Sequence, residues 1–347
     1  MIDQTLQPGA LMAAEIAEQP AAMARLLADT GAFAQVAAQI QAKRPRFVLL
    51  TARGTSDHAA LYAKYLIETS LGLPVGLVSP STYTIFGARP NLSDVLWIAV
   101  SQSGGSPDLV ESTAAARRLG ALTLAVTNDA ASPLSEAAEL SLDVRSGPEL
   151  AVAATKTYTS TLLALWLLID HWRGGDGTAA SVVPDLAQSA LTAPEVLDTV
   201  ARHRFADMVV TTGRGFSYPT AREAALKLME TSYFSAHAFS GADLLHGPFA
   251  MIDEQTSVLA VVGRGAGGRA MAPVLERLDA LGAEVTIIGD PAAAGRHAVV
   301  PVPEGVSEEL APLLEIIPLQ RFAHELAVAR NLNPDAPRGL AKVTQTL

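Results

Sequence analysis

The stretch Phe47-Val-Leu-Leu-Thr-Ala-Arg-Gly-Thr-Ser56 recurs, much altered, as Met208-Val-Val-Thr-Thr-Gly-Arg-Gly-Phe-Ser217. At one offset Arg53 meets Arg214, Gly54 meets Gly215 and Ser56 meets Ser217. The same offset lays the apolar run at residues 95–100 on residues 256–261. One residue further out of register, Leu119-Gly120-Ala121 falls on Leu281-Gly282-Ala283. All α/β units look somewhat alike, but three blocks in one order with nearly one spacing go beyond that likeness and read as an internal duplication.

Working outward, each half alternates short apolar runs with helical patterns. Residues 47–50, 95–100 and 123–126 are strand-like in the first half, and 208–210, 258–262 and 285–288 in the second. Continuous apolar strands separated by amphipathic helices predict a parallel sheet covered on both faces. The expected fold class is therefore α/β, two tandem domains, each a three-layer αβα arrangement. The expected organisation is an N-terminal helical segment over 1–30 (helix at 11–29), a first domain over 31–172 and a linker over 173–195. A second domain over 196–330 and a tail over 331–347 follow. Gly-Gly-Asp-Gly-Thr at 174–178 breaks the helix before the linker. The tail carries two prolines and little periodicity, so an irregular course is expected. Residues 162–169, the most apolar stretch, are too few to span a bilayer and read as a buried helix.

In open parallel sheets ligands sit beyond the carboxyl ends of the strands. After the run ending at Val100 comes Ser101-Gln102-Ser103-Gly104-Gly105-Ser106-Pro107-Asp108, then a helical pattern. After the first strand, Gly54-Thr55-Ser56 repeats the arrangement. Glycines let the backbone approach an anion, while hydroxyls and the N–H groups of a helix start donate to it. Ser and Gly are also good turn and cap residues, and either loop alone reads as a turn. Two such loops on one expected sheet edge favour a phosphate site.

Gly54-Thr55-Ser56, Ser101-Gln102-Ser103-Gly104 and Glu149-Leu-Ala-Val-Ala-Ala-Thr-Lys156 together resemble the sugar isomerase (SIS) domain family. More closely, the chain from Met12 onward is similar to the isomerase half of glucosamine-6-phosphate synthase and to stand-alone SIS-type glucosamine-6-phosphate deaminases. The resemblance implies two tandem SIS domains. It also implies a sugar phosphate held by Thr55, Ser56, Ser101, Gln102, Ser103 and Ser106, with Val152, Ala154 and Ala341 lining the sugar. Ala154 stands where the synthase has a serine, so one hydroxyl contact is missing.

An aldose–ketose interconversion needs a ring opener, a carboxylate to move a proton between C1 and C2, and a cation to steady the enediol charge. Lys227 and Glu230, three apart, share one face of a helix expected over residues 221–231; by spacing alone they are a surface ion pair. His246 precedes Gly247-Pro248, a turn that restricts its direction, and imidazole titrates near neutrality. Read without the resemblance, His246 is equally a structural loop histidine, and Lys342 in the tail a solvated lysine. The resemblance makes Glu230 the proton-shuttling carboxylate, His246 the ring opener and Lys342 the amine-handling lysine, with Lys227 nearby. It places the histidine in the neighbouring subunit's site, and so implies a homodimer with its active site at the subunit interface. Two departures bear on the substrate: Ala242-Asp243-Leu244-Leu245 replaces the synthase's Gly-Glu-Leu-Lys, and the ending Val343-Thr-Gln-Thr-Leu347 differs from the synthase pattern.

Composition narrows the function classes. A net charge of −10 disfavours a nucleic-acid surface. The 347 residues contain no cysteine, so thiolate metal sites, disulfides and a Cys nucleophile are excluded within them. No His/Asp/Glu cluster has ligand spacing, and neither metal nor cofactor is expected. The first residues show no basic region followed by an apolar run, so a cytoplasmic location without membrane attachment is expected. The synthase takes ammonia from glutamine with a cysteine on a separate domain. With neither here, the expected reaction is glucosamine 6-phosphate plus water giving fructose 6-phosphate plus ammonia, with Lys342 and Lys227 stabilising charge and Lys342 able to form a transient imine. The alternatives are a deglycase or isomerase for another amino- or keto-sugar phosphate, and a non-catalytic sugar-phosphate sensor. A nicotinamide dehydrogenase is disfavoured, because neither half has Gly-x-Gly-x-x-Gly between its first strand and helix.

Overall fold

The computed structural model describes residues 7–342. The chain forms two compact units that do not simply follow one another along the sequence. The first unit comprises residues 21–149 and 156–181 with tail residues 341–342; the second comprises 7–20, 150–155 and 182–340.

The first unit is built on β1 (Phe47–Thr51), β2 (Val75–Leu77), β3 (Val95–Ser101), β4 (Leu122–Thr127) and β5 (Leu140–Asp143), in the order β2-β1-β3-β4-β5. All neighbours are parallel, with Val48 opposite both Val75 and Leu96. Every residue of β4 is buried, as a strand covered on both faces requires. The helices Gly31–Lys43 and Thr55–Ser70 pack on the helix Lys156–Trp172, which contains the 162–169 run and is buried along almost its whole length. Pro107–Arg118 and Pro133–Ala137 pack with each other and with β4.

The second unit is built on β6 (Met208–Gly213), β7 (Ser235–Ser240), β8 (Ser257–Val262), β9 (Glu284–Gly289) and β10 (Ala298–Pro301), ordered β10-β9-β8-β6-β7 and again all parallel. Counted from its own first strand, this is the order of the first sheet. The helices Ser217–Ser232 and Ala311–Ala329 pack together in this unit.

The six central runs read from the sequence are strands, several extended by small polar residues: β6 continues through buried Thr211 and Thr212 to Gly213. The remaining strands are short or polar: β2 and β10 have three and four residues, and β5 and β7 are interrupted by polar ones. The helix expected over 11–29 is two helices, Ala10–Ala17 and Gln19–Leu27. Pro20 has no N–H to continue the first one, so it sits in the opening turn of the second. The stretch 173–195, read as a linker, contains a 3-10 turn at Thr178–Ala180 and the helix Val183–Ala190. Residues 331–342 of the tail form no helix or strand, whereas Val343–Leu347 lie outside the described residues. Among the described residues no helix is long and apolar enough to cross a membrane.

Candidate active site

In the first unit the chain leaves β1 for β2 on one side, whereas β3 lies on the other side. The connections therefore diverge at the carboxyl ends of β1 and β3, the switch point where open sheets bind ligands. The loop after β3 is shaped by its own serines. The Gly104 N–H donates to Ser101 Oγ at 3.2 Å and the Gly105 N–H to Ser103 Oγ at 3.3 Å. Gly104 has φ +61°, and a Cβ there would lie 2.2 Å from Ser132 Oγ, so only glycine lets this loop close against the next one. Ser106 occupies the cap position of the Pro107–Arg118 helix without capping it. The side chains of Ser56, Gln102 and Ser106 have no hydrogen-bond partner among the described residues and are half-buried. Thr55 opens the helix Thr55–Ser70 beside Ser56. The result is a sheet edge bearing hydroxyls and an amide at two helix starts, suited to phosphate oxygens.

The same unit holds Lys342. Its Nζ donates to Glu149 Oε2 at 2.8 Å. The buried Glu149 carboxylate also accepts the Thr157 N–H at 3.0 Å and the Thr157 hydroxyl at 2.7 Å, so it is fixed on the first turn of the Lys156–Trp172 helix. Asn128, just after β4, holds the approach to Glu149 by accepting the Ser146 N–H and donating to Gly147 O, both at 2.8 Å. Ala341 is exposed next to Lys342.

The second unit carries the other predicted groups. Along the Ser217–Ser232 helix, Lys227 Nζ lies 3.2 Å from Glu223 Oε1 and 2.5 Å from Glu230 Oε2. Lys227 and Glu223 are fully buried and Glu230 is 21 % exposed. Burial opposes the charge on Lys227, but the two carboxylates outweigh it and hold the ammonium above the usual lysine range. Glu230 is thereby anchored on its inner side while remaining reachable from outside. His246 ends the short helix Gly241–Leu245, whose start is capped by Ser240: the Asp243 N–H donates to Ser240 Oγ at 3.1 Å. The imidazole is exposed and has no hydrogen-bond partner among the described residues. Val152 and Ala154 are half-buried, whereas Ala151 and Ala153 are buried against Met12 and Ile16. The Val152 N–H donates to Asp335 O at 3.3 Å, and the Asp335 carboxylate accepts the N–H groups of Leu11 and Met12.

Among the predicted groups, the structure joins Lys227 to Glu230 and gathers Thr55, Ser56, Ser101, Gln102, Ser103 and Ser106 on one sheet edge. Lys342 and Ala341 fall in the first unit, and Glu230, His246, Lys227, Val152 and Ala154 in the second. Sequence reasoning assigned no role to Glu223 or Glu149. Glu223 precedes Lys227 by four residues, a spacing that signals an ion pair; Glu149 heads the motif 149–156 but meets Lys342 only through the fold. Among the described residues, no group of three or more His, Asp and Glu side chains is gathered as for a metal ion.

The sequence pattern of the SIS domain matches residues 42–170 and 205–330. Glutamine–fructose-6-phosphate aminotransferase (isomerizing) of Halobacterium salinarum is 34% identical over 350 residues, covering 95% of this chain and 58% of that protein. The enzyme of the same name from Pseudomonas putida is 35% identical over 360 residues, with coverage of 95% and 58%. The chain thus spans less than two thirds of these relatives' length. Among solved structures, the C-terminal domain of glucosamine-fructose-6-phosphate aminotransferase from Francisella tularensis superposes with a TM-score of 0.83 at 25% identity, covering 94% of this chain and 98% of that one. A Silicibacter pomeroyi protein provisionally named a phosphosugar isomerase superposes with a TM-score of 0.84 at 36% identity, covering 94% and 99%. With its pattern matched in both units and relatives a third identical along nearly all its length, this chain belongs to the SIS domain family.

Proposed function

We propose that the chain is a phosphosugar aldose–ketose isomerase acting on an amino sugar, converting glucosamine 6-phosphate and water to fructose 6-phosphate and ammonia. The observation that carries this reading is Glu230, a partly exposed carboxylate gripped from behind by the buried ammonium of Lys227. Moving a proton between neighbouring carbons needs one base, fixed in direction, that reaches both. The half-buried hydroxyl edge of the first unit supports a phosphorylated substrate. The relatives' names, which specify isomerising activity on fructose 6-phosphate, support the same substrate class. The direction written is the one that needs no ammonia donor.

On this reading His246 opens the pyranose by taking the proton from O1 and delivering one to O5. Glu230 removes the proton from C2, the electron pair flows towards the C1 carbonyl oxygen, and that oxygen takes a proton given up by the substrate's own ammonium group. Lys342, steered by Glu149, offers positive charge to the resulting enolamine. Glu230 then returns the proton to C1, leaving an imine at C2. Water adds at C2, ammonia departs, and the ketone of fructose 6-phosphate remains. Val152, Ala154 and Ala341 line the sugar. We also take the chain to act as a homodimer in which His246 serves the neighbouring copy, a role that suits an exposed imidazole without a partner.

Purified protein is expected to release ammonia from glucosamine 6-phosphate, and Glu230→Gln to abolish the release. Release no greater than background and identical in Glu230→Gln overturns the assignment. A panel of amino- and keto-sugar phosphates separates this substrate from others. Tight binding without turnover would instead support the sensor reading. For the dimer, mixing Glu230→Gln with His246→Asn is expected to restore part of the activity that each lacks alone. No recovery after subunit exchange argues against a shared site.

A further inference from the structure

The cradle at the ends of β1 and β3 is lined by neutral side chains, yet the chain carries a net charge of −10. A phosphate monoester brings nearly two further negative charges at neutral pH. The cradle also contains an opposing charge of its own. Asp108, in the first turn of the Pro107–Arg118 helix, is 3 % exposed. A buried carboxylate beside a phosphate repels it unless a cation stands with them.

Arg53 is that cation. Its Nε and Nη2 both reach Asp108 Oδ2, at 3.0 and 2.8 Å. The pair ties the loop after β1 to the helix after β3, the two walls of the cradle. Asp108 Oδ1 is buried without a hydrogen-bond partner, so the carboxylate depends on Arg53 alone. The Arg53 side chain, by contrast, is 47 % exposed, and its Nη1 has no partner among the described residues. One edge of the guanidinium is thus clamped while the other is open, on the loop that leads into Thr55 and Ser56.

We propose that Arg53 is a phosphate-binding residue of this cradle, aimed by Asp108 as its positioning residue; this rests on the reading of the chain as acting on a sugar phosphate. The guanidinium fork suits phosphate oxygens, and clamping one edge in advance reduces the rotamer freedom lost on binding. Arg53 also cancels the Asp108 charge that would otherwise face the phosphate. Its effect falls on binding and on discrimination for the phosphorylated sugar, not on proton transfer.

The test is calorimetric titration of fructose 6-phosphate, inorganic phosphate and unphosphorylated fructose into wild type, Arg53→Gln, Arg53→Lys and Asp108→Asn. Arg53→Gln is expected to weaken binding of both phosphate ligands by roughly ten- to a hundredfold, to raise KM correspondingly and to leave kcat within twofold. Its loss is expected to shrink at least threefold on an Asp108→Asn background, because the uncancelled carboxylate contributes part of it. Wild type that binds fructose 6-phosphate no better than fructose overturns the functional reading itself. Wild type that discriminates, with Arg53→Gln discriminating equally, overturns only this inference. An equal loss on both backgrounds removes the positioning role of Asp108. Should Arg53→Gln fail to fold, Arg53→Lys decides: it is expected to bind at least threefold more weakly for want of the fork, and undiminished affinity overturns the proposal.

Discussion

At the ends of β1 and β3 the hydroxyls of Ser56 and Ser106 have no hydrogen-bond partner among the described residues, whereas at the corresponding ends of β6 and β8 the chain's own carboxylates occupy the polar groups. Ser217, the counterpart of Ser56, donates its hydroxyl to Glu315 Oε1 at 2.9 Å. The N–H groups of Ala266 and Gly267 donate to Glu308 at 2.9 and 2.6 Å. Glu315 comes from the Ala311–Ala329 helix and fills the space so closely that a Cβ on Gly263 would lie 2.7 Å from its Oε1. Burial pushes the Glu315 carboxyl up to about 7 against the lowering effect of the Ser217 and Thr220 hydroxyls, and Glu308 raises it further. Two sheets with the same strand order and similar Gly-rich turns thus differ in what reaches their edges. The first edge keeps hydroxyls available for an outside anion; the second has its donors satisfied internally. Its unit carries Glu230 and His246, the groups assigned to proton transfer in the proposed reaction.

Four experiments break or sharpen this contrast between a binding edge and a self-satisfied one. The largest effect is expected from Glu230→Gln in the second unit: kcat falls by about a thousandfold, with KM changed no more than a few-fold. A comparable rise in KM would make Glu230 a binding group and erase the division of labour. In the first unit, Ser56→Ala and Ser106→Ala are each expected to raise KM by roughly tenfold and to leave kcat nearly untouched; steady-state kinetics at saturating substrate separate the two.

Glu315 provides a pH test. Its folded value, about 7, lies above the ordinary carboxyl value of 4.5, so between them the native chain binds more protons than the unfolded one. The contribution of the protonated form is full below the unfolded value and is lost as pH rises through the folded value. Melting of wild type relative to Glu315→Gln is therefore expected to decline between about pH 5 and pH 8, and parallel curves would show that Glu315 is not held protonated. The smallest effect belongs to Glu308→Gln: Ala266 and Gly267 donate to separate carboxylate oxygens, and the amide oxygen still accepts one of the two N–H groups. We expect a loss of about 1 kcal/mol or less in denaturant melts, with turnover unchanged. A large loss of substrate affinity would mean that the second edge takes part in binding.

The central strands were legible because burial on both faces forces continuous apolar runs, as in β3, β4 and β8. The edge strands lacked that signal: β7 reads Ser-Ala-His-Ala-Phe-Ser and β2 is three residues long. The Lys227–Glu230 pair was legible because helical spacing places residues three apart on one face. Glu149 with Lys342 has no such period, nor do Asp335 with Met12 or Glu315 with Ser217.

The amino-acid sequence by itself determined the repeated strand–turn–helix frame, since backbone preference and apolar periodicity act over a few neighbouring residues. Tertiary structure decided which carboxylate meets which donor: Glu149 at Lys342, Asp108 at Arg53, Glu308 and Glu315 at the second edge. A hydrogen bond acts over about 3 Å, so its partners are chosen by how distant helices pack, and no local pattern encodes that choice.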